Sequence, residues 1–350
     1  MTQSAVWRWA MMGFIAVLAS QATVAAAQTL EISDLFSSLE SVDVTVQGDG
    51  PGAALQLDLI QDGEKMAGRR LAVDGPGTWA VRWPAIKADK GSYDCCAALV
   101  QNSTAISEKC YSFYYGGVEP IRFDVRDFRA DSRGMHLAIS ASDSTMVDIY
   151  YMLLHGGKAV YVTREQGIAI AGSYASPIVK DYAWKQILRK GQDYEGRVKI
   201  VELNHNQTRA FMNAFRAVDD ASITETYQDE TGASATVLGN SRVPFMGYLR
   251  FVLYQNGSLL NITEKKTPVL LAGDDDTVEI TWNSTLEPGI YQLRTVLLSQ
   301  DGSVQDLEEN VIEAEPLQKI NAIETAEKSG LPAGLAALAM LAIVLMRKRR

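Results

Sequence analysis

The sequence predicts an all-β protein built from three tandem antiparallel β-sandwich units. Two observations carry this prediction. Strand-like segments run into dipeptides that favour tight hairpin turns, and the same landmarks recur in the same order with a period of roughly 97 residues. Between these segments the sequence contains no long amphipathic helical pattern, so the strands are expected to pair as antiparallel neighbours.

Each copy contains an apolar or alternating strand that ends in a turn dipeptide. Asp-Gly, Gly-Gly and Asn-Gly all reach the positive φ angles of type I′ hairpin turns. The three strand and turn pairs are Ala54–Ile60 with Asp62-Gly63, Val147–Leu154 with Gly156-Gly157, and Tyr248–Tyr254 with Asn256-Gly257.

A tryptophan follows each hairpin, and a tyrosine follows each tryptophan by nine or ten residues. The pairs are Trp83 and Tyr93, Trp184 and Tyr194, and Trp282 and Tyr291. The regular spacing of these tryptophans and tyrosines indicates that they occupy positions in the hydrophobic cores. We expect each tyrosine ring to pack inward beside its tryptophan, with the hydroxyl bonded to nearby backbone.

This pattern resembles the architecture of immunoglobulin-like and fibronectin-type extracellular modules, although the cysteine pair that joins the sheets of antibody domains is missing. The repeat places three domains at residues 28–120, 121–218 and 219–315. The middle copy is the most divergent, and its stretch Tyr174–Leu188 has room for a short helical insert.

The two ends of the chain read as membrane-targeting segments. Residues 1–27 form an expected signal peptide, with Arg8 before an apolar stretch and Ala25-Ala26-Ala27 at the cleavage site. At the other end we expect a stalk at 316–329, a transmembrane helix at 330–346 and a cytoplasmic basic tail at 347–350. Basic flanks stay in the cytoplasm, so the domains are expected outside, on a plasma-membrane anchor.

The C-terminal segment also resembles the sorting signals of archaeal and bacterial surface proteins. Those signals combine a short motif, an apolar span and a terminal Arg/Lys cluster. Here Ser329–Gly334 stands in the place of the motif, without the Phe of the archaeal form or the Thr of the bacterial one. The resemblance implies a surface protein whose partners include the membrane and a sortase-like processing enzyme.

Charge narrows the range of partners. Residues 28–315 carry an excess of acidic groups, and that excess disfavours nucleic acid. The net charge is uneven: −6 for residues 28–120, +4 for 121–218 and −12 for 219–315. Charge attraction between neighbouring units therefore favours compact packing, while the simpler interpretation gives each unit its own solvated surface.

No motif for catalysis, for a cofactor or for a metal stands out among the residues. The three histidines, His136, His155 and His205, lie far apart in sequence.

We therefore expect a membrane-anchored cell-surface protein with a structural, adhesive or ligand-presenting role, no enzymatic activity and no cofactor. Its partner would be an envelope or extracellular protein or glycan. Two alternatives stay open: a receptor or solute-binding protein with a pocket between domains, and a surface hydrolase with scattered catalytic residues.

Two kinds of covalent modification are expected in an exported chain. Five Asn-x-Ser/Thr sequons make glycosylation sites of Asn102, Asn206, Asn256, Asn261 and Asn283.

The only cysteines are Cys95, Cys96 and Cys110. A two-residue turn at Asn102-Ser103 places Cys95 opposite Cys110 on the buried face and predicts a disulfide between them. A three-residue turn would select Cys96 instead and place the bond on the outer face.

Overall fold

The computed structural model describes residues 29–117, 122–173 and 175–315. These ranges contain 21 strands and no helix, and every named strand pair is antiparallel. The predicted all-β antiparallel fold is therefore confirmed. The strands fall into three groups of seven, which we call units 1, 2 and 3.

Unit 1 contains β1 (Glu31–Ser37), β2 (Ser41–Gln47), β3 (Ala53–Gln61), β4 (Glu64–Val73), β5 (Gly77–Arg82), β6 (Gly91–Gln101) and β7 (Thr104–Tyr115). Unit 2 contains β8 (Phe123–Ala130), β9 (Gly134–Ala141), β10 (Thr145–His155), β11 (Lys158–Ile170), β12 (Ile178–Ala183), β13 (Asp193–Glu202) and β14 (Thr208–Arg216). Unit 3 contains β15 (Ala221–Gln228), β16 (Gly232–Gly239), β17 (Gly247–Gln255), β18 (Ser258–Lys266), β19 (Asp275–Thr281), β20 (Gly289–Ser299) and β21 (Val304–Ala314).

Each unit pairs its first, second and fifth strands in one layer and its other four strands in a second layer. In unit 1 the layers are β1-β2-β5 and β4-β3-β6-β7, and in unit 3 they are β15-β16-β19 and β18-β17-β20-β21. We call these the three-stranded and the four-stranded layer. The four-stranded layer of unit 2, β11-β10-β13-β14, continues through β5 into the three-stranded layer of unit 1 and forms a seven-stranded sheet. One sheet therefore crosses the predicted limit at residue 120.

The hairpin turns have the predicted backbone conformation. Both central residues of each turn have positive φ angles: 50° and 83° at Asp62-Gly63, 59° and 83° at Gly156-Gly157, and 50° and 76° at Asn256-Gly257. Two successive positive φ angles define a type I′ turn, whose twist matches that of the strands it joins.

The tryptophans and tyrosines of the repeat lie inside the three hydrophobic cores. The indole N–H of Trp184 donates to the Asp131 carbonyl over 2.7 Å, and that of Trp282 donates to the Asp229 carbonyl over 3.0 Å. Trp83 donates to the Ser38 carbonyl in unit 1.

The tyrosine hydroxyls bond to the loop that enters their own strand. Tyr93 donates to the Asp89 carbonyl at 2.8 Å, and Tyr291 donates to the Glu287 carbonyl at 2.9 Å. In unit 2 the Tyr194 hydroxyl instead accepts from the Arg189 N–H at 3.3 Å. Each bond fixes the corner before the sixth strand while the ring fills the core.

The expectation of a helical insert at Tyr174–Leu188 is wrong for the described residues of that stretch. Ile178–Ala183 form β12, which pairs with β9 from Ile178 opposite Ile139 to Ala183 opposite Gly134, and the other described residues of the stretch form turns and irregular backbone. Ladder hydrogen bonds to β9 therefore outweigh the local preference for a helix.

The segments expected at residues 1–27, 316–329 and 330–350 lie outside the described residues. Within the ranges that the structure describes, no helix has the length and hydropathy needed to cross a membrane.

The contact between units 2 and 3 is made by backbone and core atoms. The Leu188 N–H donates to the Arg242 carbonyl, and the Arg242 N–H donates to the Ser132 carbonyl, both over 2.9 Å. Val243 of unit 3 is buried in the hydrophobic cluster of unit 2. The second core is therefore completed by a residue of the third unit.

We expect Trp83→Ala, Trp184→Ala and Trp282→Ala each to lower the free energy of unfolding by about 3–5 kcal/mol, because each removes a buried indole and leaves a cavity. The matched Trp→Phe variants keep an aromatic ring and lose the N–H bond, so they should cost less. Urea unfolding followed by circular dichroism measures both sets. An alanine variant with the wild-type transition would show that its tryptophan has no core role.

Candidate functional site

The outer face of β13 carries two cations that solvent does not reach. Alternation along the strand sends Val198 and Ile200 into the core of unit 2 and sends Arg197 and Lys199 to the opposite face. An outer face normally meets water. Here Arg197 has 0% of its surface exposed and Lys199 7%, because β1 and β2 of unit 1 lie over them.

One carboxylate of unit 1 binds both cations. Asp43 on β2, itself buried, accepts from Arg197 Nη2 at 2.5 Å through Oδ1 and from Lys199 Nζ at 2.8 Å through Oδ2. Ser41 accepts from Arg197 Nη1, and Asp34 on β1 lies 3.2 Å from Lys199 Nζ. We call Asp34, Ser41, Asp43, Arg197 and Lys199 the charged interface.

The charges in this interface depend on one another. Burial alone would lower the pKa of the Lys199 ammonium, but the Asp43 carboxylate, assisted by Asp34, raises that pKa above its ordinary value. Lys199 therefore stays charged. Removing one partner of such a cluster leaves an uncompensated buried ion, which is far costlier than the net gain from the intact pair.

Apolar and aromatic groups surround the charged interface. Ala80 of β5 packs with Met152 and Leu154 of β10 in a small buried cluster. The Lys199 ammonium lies 5.6 Å from the Phe36 ring centroid and 5.5 Å from that of Tyr150, within cation–π range. These groups exclude water, so the ion pairs act in a medium of low dielectric constant.

An exposed ion pair marks the rim of the same contact. Lys158 on β11 lies 2.5 Å from the Asp74 carboxylate, and its ammonium stands 5.5 Å from the Trp79 ring centroid. The Asp74 side chain is 73% exposed. Solvent and salt screen such a pair, so it contributes much less than the buried one.

The disulfide joins Cys96 to Cys110, and the predicted Cys95–Cys110 bond is wrong. The turn at Asn102-Ser103 has two residues, as predicted, with Gln101 opposite Thr104. A bulge then shifts the register between Leu99 and Val100, which places Cys96 opposite Cys110 on the outer face. The sequence gives no sign of that extra residue.

Cys95 is the free cysteine among the described residues, and it lies in the core of unit 1. Burial raises the pKa of its thiol to about 11, against the smaller effect of a hydrogen bond with Ser37. A thiol in this environment is protonated and unreactive at neutral pH.

The five sequon asparagines lie at turns or on outer strand faces. Asn102, Asn206 and Asn256 have positive φ angles of 49°, 55° and 50°. Asn283 is exposed after β19, and Asn261 is half-buried on β18, with its amide 3.4 Å from Thr263 Oγ1. Their glycosylation stays a prediction.

Two surface clefts are candidate ligand sites, and each is lined by a single unit. One lies at the end of β3, β4 and β6 in unit 1. The other, of about 470 Å³, lies on β9 and β12 of unit 2 and contains His136, whose Nδ1 is 2.7 Å from Asp181 Oδ1. The pair has the geometry of an acid–base couple, but the cleft lining contains no Ser, Thr or Cys to act as a nucleophile.

Across the part of the chain that the structure describes, no three or more His, Cys, Asp or Glu side chains form a group suited to a metal ion.

Comparison with known proteins does not identify a family for this chain. No family model matches the chain, and no curated protein matches it. Among solved structures, the chain is similar to a tetra-tandem repeat in the extending region of a large adhesion protein, with a TM-score of 0.24, 9% identity, and coverage of 83% of this chain and 75% of that one. It is also similar to dimeric latent PorU from Porphyromonas gingivalis, with a TM-score of 0.22, 12% identity, and coverage of 83% and 34%. A third similar structure is trypsin-activated alpha-2-macroglobulin from Escherichia coli, with a TM-score of 0.22, 12% identity, and coverage of 84% and 24%. Likenesses this weak carry no functional argument.

We expect Asp43→Asn to lower the free energy of unfolding by about 3–5 kcal/mol, because the amide leaves the buried Arg197 without a counter-charge and leaves Lys199 with Asp34 alone. The matched control is Asp74→Asn. It removes the exposed carboxylate that joins the same two units and should cost much less than Asp43→Asn, because solvent and salt screen the Asp74–Lys158 pair. Chemical denaturation measures both variants, and equal effects would contradict a special role for the buried cluster.

Cys95 should make stability depend on alkaline pH. An unfolded thiol ionises near about pH 8.5, whereas the folded one holds its proton up to about pH 11. The contribution of the folded thiol to stability is therefore fully present below about pH 8.5 and is lost as pH rises through about 11.

The size of this contribution should be on the order of 3–4 kcal/mol, at about 1.4 kcal/mol per pKa unit. It is measured as the difference in unfolding free energy between the wild type and Cys95→Ala across this pH range. The cavity left by alanine costs the same at every pH and cancels from the slope. Parallel curves for the two proteins would show that Cys95 does not titrate as described.

Proposed function

We propose that this chain is a non-catalytic surface protein whose three β-sandwich units form a structural or adhesive scaffold held at a membrane by the C-terminal segment. The observation that carries the proposal is the way the units meet. Buried ion pairs fix unit 1 on unit 2, and backbone bonds with a shared core residue fix unit 3 on unit 2. Contacts of this kind suit a scaffold whose three units keep fixed positions relative to one another.

The charged interface also bears on the receptor alternative. A solute-binding protein that works through a pocket between domains needs an open, polar space there. Between units 1 and 2 this space is occupied by Arg197, Lys199 and Met152, which pack against Asp43 and Ala80. A filled contact supports a scaffold over a receptor that opens and closes.

The enzyme alternative would need a nucleophile or a metal near an acid–base group. The cleft beside His136 offers Asp131, Asp181 and two arginines, Arg129 and Arg133. Arg129 is bonded to Asp127 and Arg133 to Asp220, so both are engaged in structural ion pairs. The scaffold proposal is therefore the one that these contacts favour.

Anchoring rests on the sequence alone. Leu331–Met346 is an uninterrupted apolar run, followed by Arg347, Lys348, Arg349 and Arg350. At about 1.5 Å per residue the run is about 24 Å long, somewhat under the about 30 Å of a bilayer core. Snorkelling of Arg347 makes up part of the difference. This topology puts the three units outside the cell and the basic tail inside.

The test uses two epitope tags, one in the exposed turn at Asp301-Gly302 and one after Arg350. Protease added to intact cells should destroy the first tag and spare the second, because the bilayer separates them. A matched variant without residues 330–350 should appear in the medium with its first tag intact. If the first tag is protected in intact cells and cut only after lysis, the proposed location is wrong.

A further inference from the structure

The four-stranded layer of unit 3 has an outer face with many apolar side chains. Leu249, Phe251 and Leu253 of β17 point into the hydrophobic core, so the residues between them point the other way. The registers of β18, β20 and β21 extend this second surface across four strands. We call it the outer face of unit 3.

A diagonal band of apolar side chains crosses the outer face of unit 3. It runs from one corner on β18 to the opposite corner at the start of β21. Ile262 lies opposite Val252 on β17, and Val296 on β20 lies opposite Leu307 on β21. Val252 and Val296 are diagonal neighbours on adjacent strands. The apolar band consists of Leu259, Ile262, Val252, Val296, Leu307 and Val304.

The members of the apolar band on the two edge strands are open to solvent. Leu259 and Ile262 of β18 are 54% and 50% exposed, and Leu307 and Val304 of β21 are 43% and 61% exposed. Exposed apolar side chains gathered on one face are typical of an interaction surface.

The charged residues of the outer face lie in its two other corners. One corner holds Lys266 with the Arg250–Glu264 ion pair, and the opposite corner holds Glu313 with the Arg294–Glu309 ion pair. The first corner therefore carries +1 and the second −1, and both ion pairs are complete within the chain. Because the outer face is neutral as a whole, the net charge of −12 of unit 3 resides on its other surfaces.

The corresponding faces of units 1 and 2 differ from this one. In unit 2 the face carries Arg197 and Lys199, and unit 1 covers it. In unit 1 the face is crossed by the disulfide between Cys96 and Cys110 and carries Asp94, which accepts a hydrogen bond from Ser112. Among the described units, an apolar and open face of this kind therefore belongs to unit 3.

The size of the outer face suits a dimer of moderate affinity. Strands about 4.8 Å apart and nine residues long, at about 3.3 Å per residue, give a face of roughly 19 by 30 Å, or about 570 Å². Two copies packed face to face would cover about 1,100 Å², which exceeds the about 1,000 Å² expected of a specific interface.

We propose that two copies of this chain form a symmetric dimer through their outer faces of unit 3, with the two-fold axis along the apolar band. Rotation about this axis lays each band on the other. It also lays the +1 corner of each copy on the −1 corner of its partner, so the charges are complementary. This dimer goes beyond the proposed function, since it requires neither export nor anchoring.

The position of the axis can be tested with two single cysteines. Val304 lies at one end of the band, so its two copies meet at the axis. Ile290 lies on the same face but off the band, and its two copies stand roughly 20 Å apart by the strand spacing and the rise per residue. The two side chains are similarly exposed, at 61% and 68%.

The full chain in detergent micelles is treated with a thiol-specific cross-linker that spans about 10 Å, the distance between packed sheets. Cys95 is buried and the other two cysteines are bonded to each other, so an introduced thiol is the reactive one. The Val304→Cys variant should form cross-linked dimers, and Ile290→Cys should stay uncross-linked. Any other pattern overturns the proposed axis.

Sedimentation velocity of the full chain from about 1 to 100 µM measures the dimer itself, in a range suited to moderate affinity. Leu307→Asp should weaken dimerisation about tenfold or more, because it buries a carboxylate of each copy in the apolar band. The matched control is Val179→Asp, the same charge change at a side chain 52% exposed on β12 of unit 2, and it should dimerise like the wild type. Circular dichroism and thermal unfolding identify any variant that fails to fold.

Added salt should strengthen the dimer. The net charge of −12 on each unit 3 repels the other copy at about 10 mM salt, and about 150 mM salt screens this repulsion while the apolar contact remains. A dimer that weakens with salt would depend on ion pairs and would contradict packing of the apolar band.

Two further results overturn the proposal. A wild type that stays monomeric up to about 100 µM shows that the band is covered by residues 316–329 or by another protein. A folded Leu307→Asp variant that dimerises like the wild type shows that the copies associate through another surface.

Discussion

A single buried carboxylate, that of Asp43, determines how the first two units sit on one another. It binds Arg197 and Lys199 at once, with Asp34 as the second carboxylate beside Lys199, on a face of β13 that an isolated sandwich would expose to water. Ions withdrawn from water need close and well-directed partners to offset the lost hydration. Few arrangements of two sheets supply them, so the cluster restricts the packing to one geometry more strictly than apolar contact alone would.

Comparison of the three units explains how strands with the same core pattern can form the charged interface. A sandwich keeps its core by the inward residues of each strand, and these are similar in the three units. The outward residues are free to vary without harm to the core. One outward position in the sixth strand holds a disulfide cysteine in unit 1 and an arginine in units 2 and 3. The same fold is thus given a covalent cross-link in one unit and a charged contact in the others.

Features that depend on local sequence patterns were predicted correctly. Features that depend on contacts between segments far apart in the chain were not. Type I′ turns follow from Asp-Gly, Gly-Gly and Asn-Gly, and the core places of the aromatic residues follow from their spacing. The register of β6 on β7 depends on a bulge after Leu99, so the disulfide pairing was missed by one residue. β12 is held by β9, across more than thirty residues of chain.

The charged interface could not have been found from the sequence. Arg197 and Lys199 alternate with Val198 and Ile200 as in any strand with one wet face. Their burial comes from Asp43 and Ser41, which lie about 155 residues earlier in the chain. The uneven net charge of the units favours compact packing, but it does not identify which residues form the contact. Only the three-dimensional fold brings these groups together.

The place of Val243 has a consequence for how such chains can be rearranged. Because this side chain completes the core of unit 2 from within unit 3, the limits of the folding units do not coincide with the limits of the repeat. A cut at residue 218 would separate two repeats in sequence yet leave a hole in the one that precedes it. The copies therefore resemble independent modules in sequence, but the core of unit 2 is not complete without unit 3. A rearrangement that removed unit 3 would leave a cavity in unit 2 unless the segment that contains Val243 stayed with it.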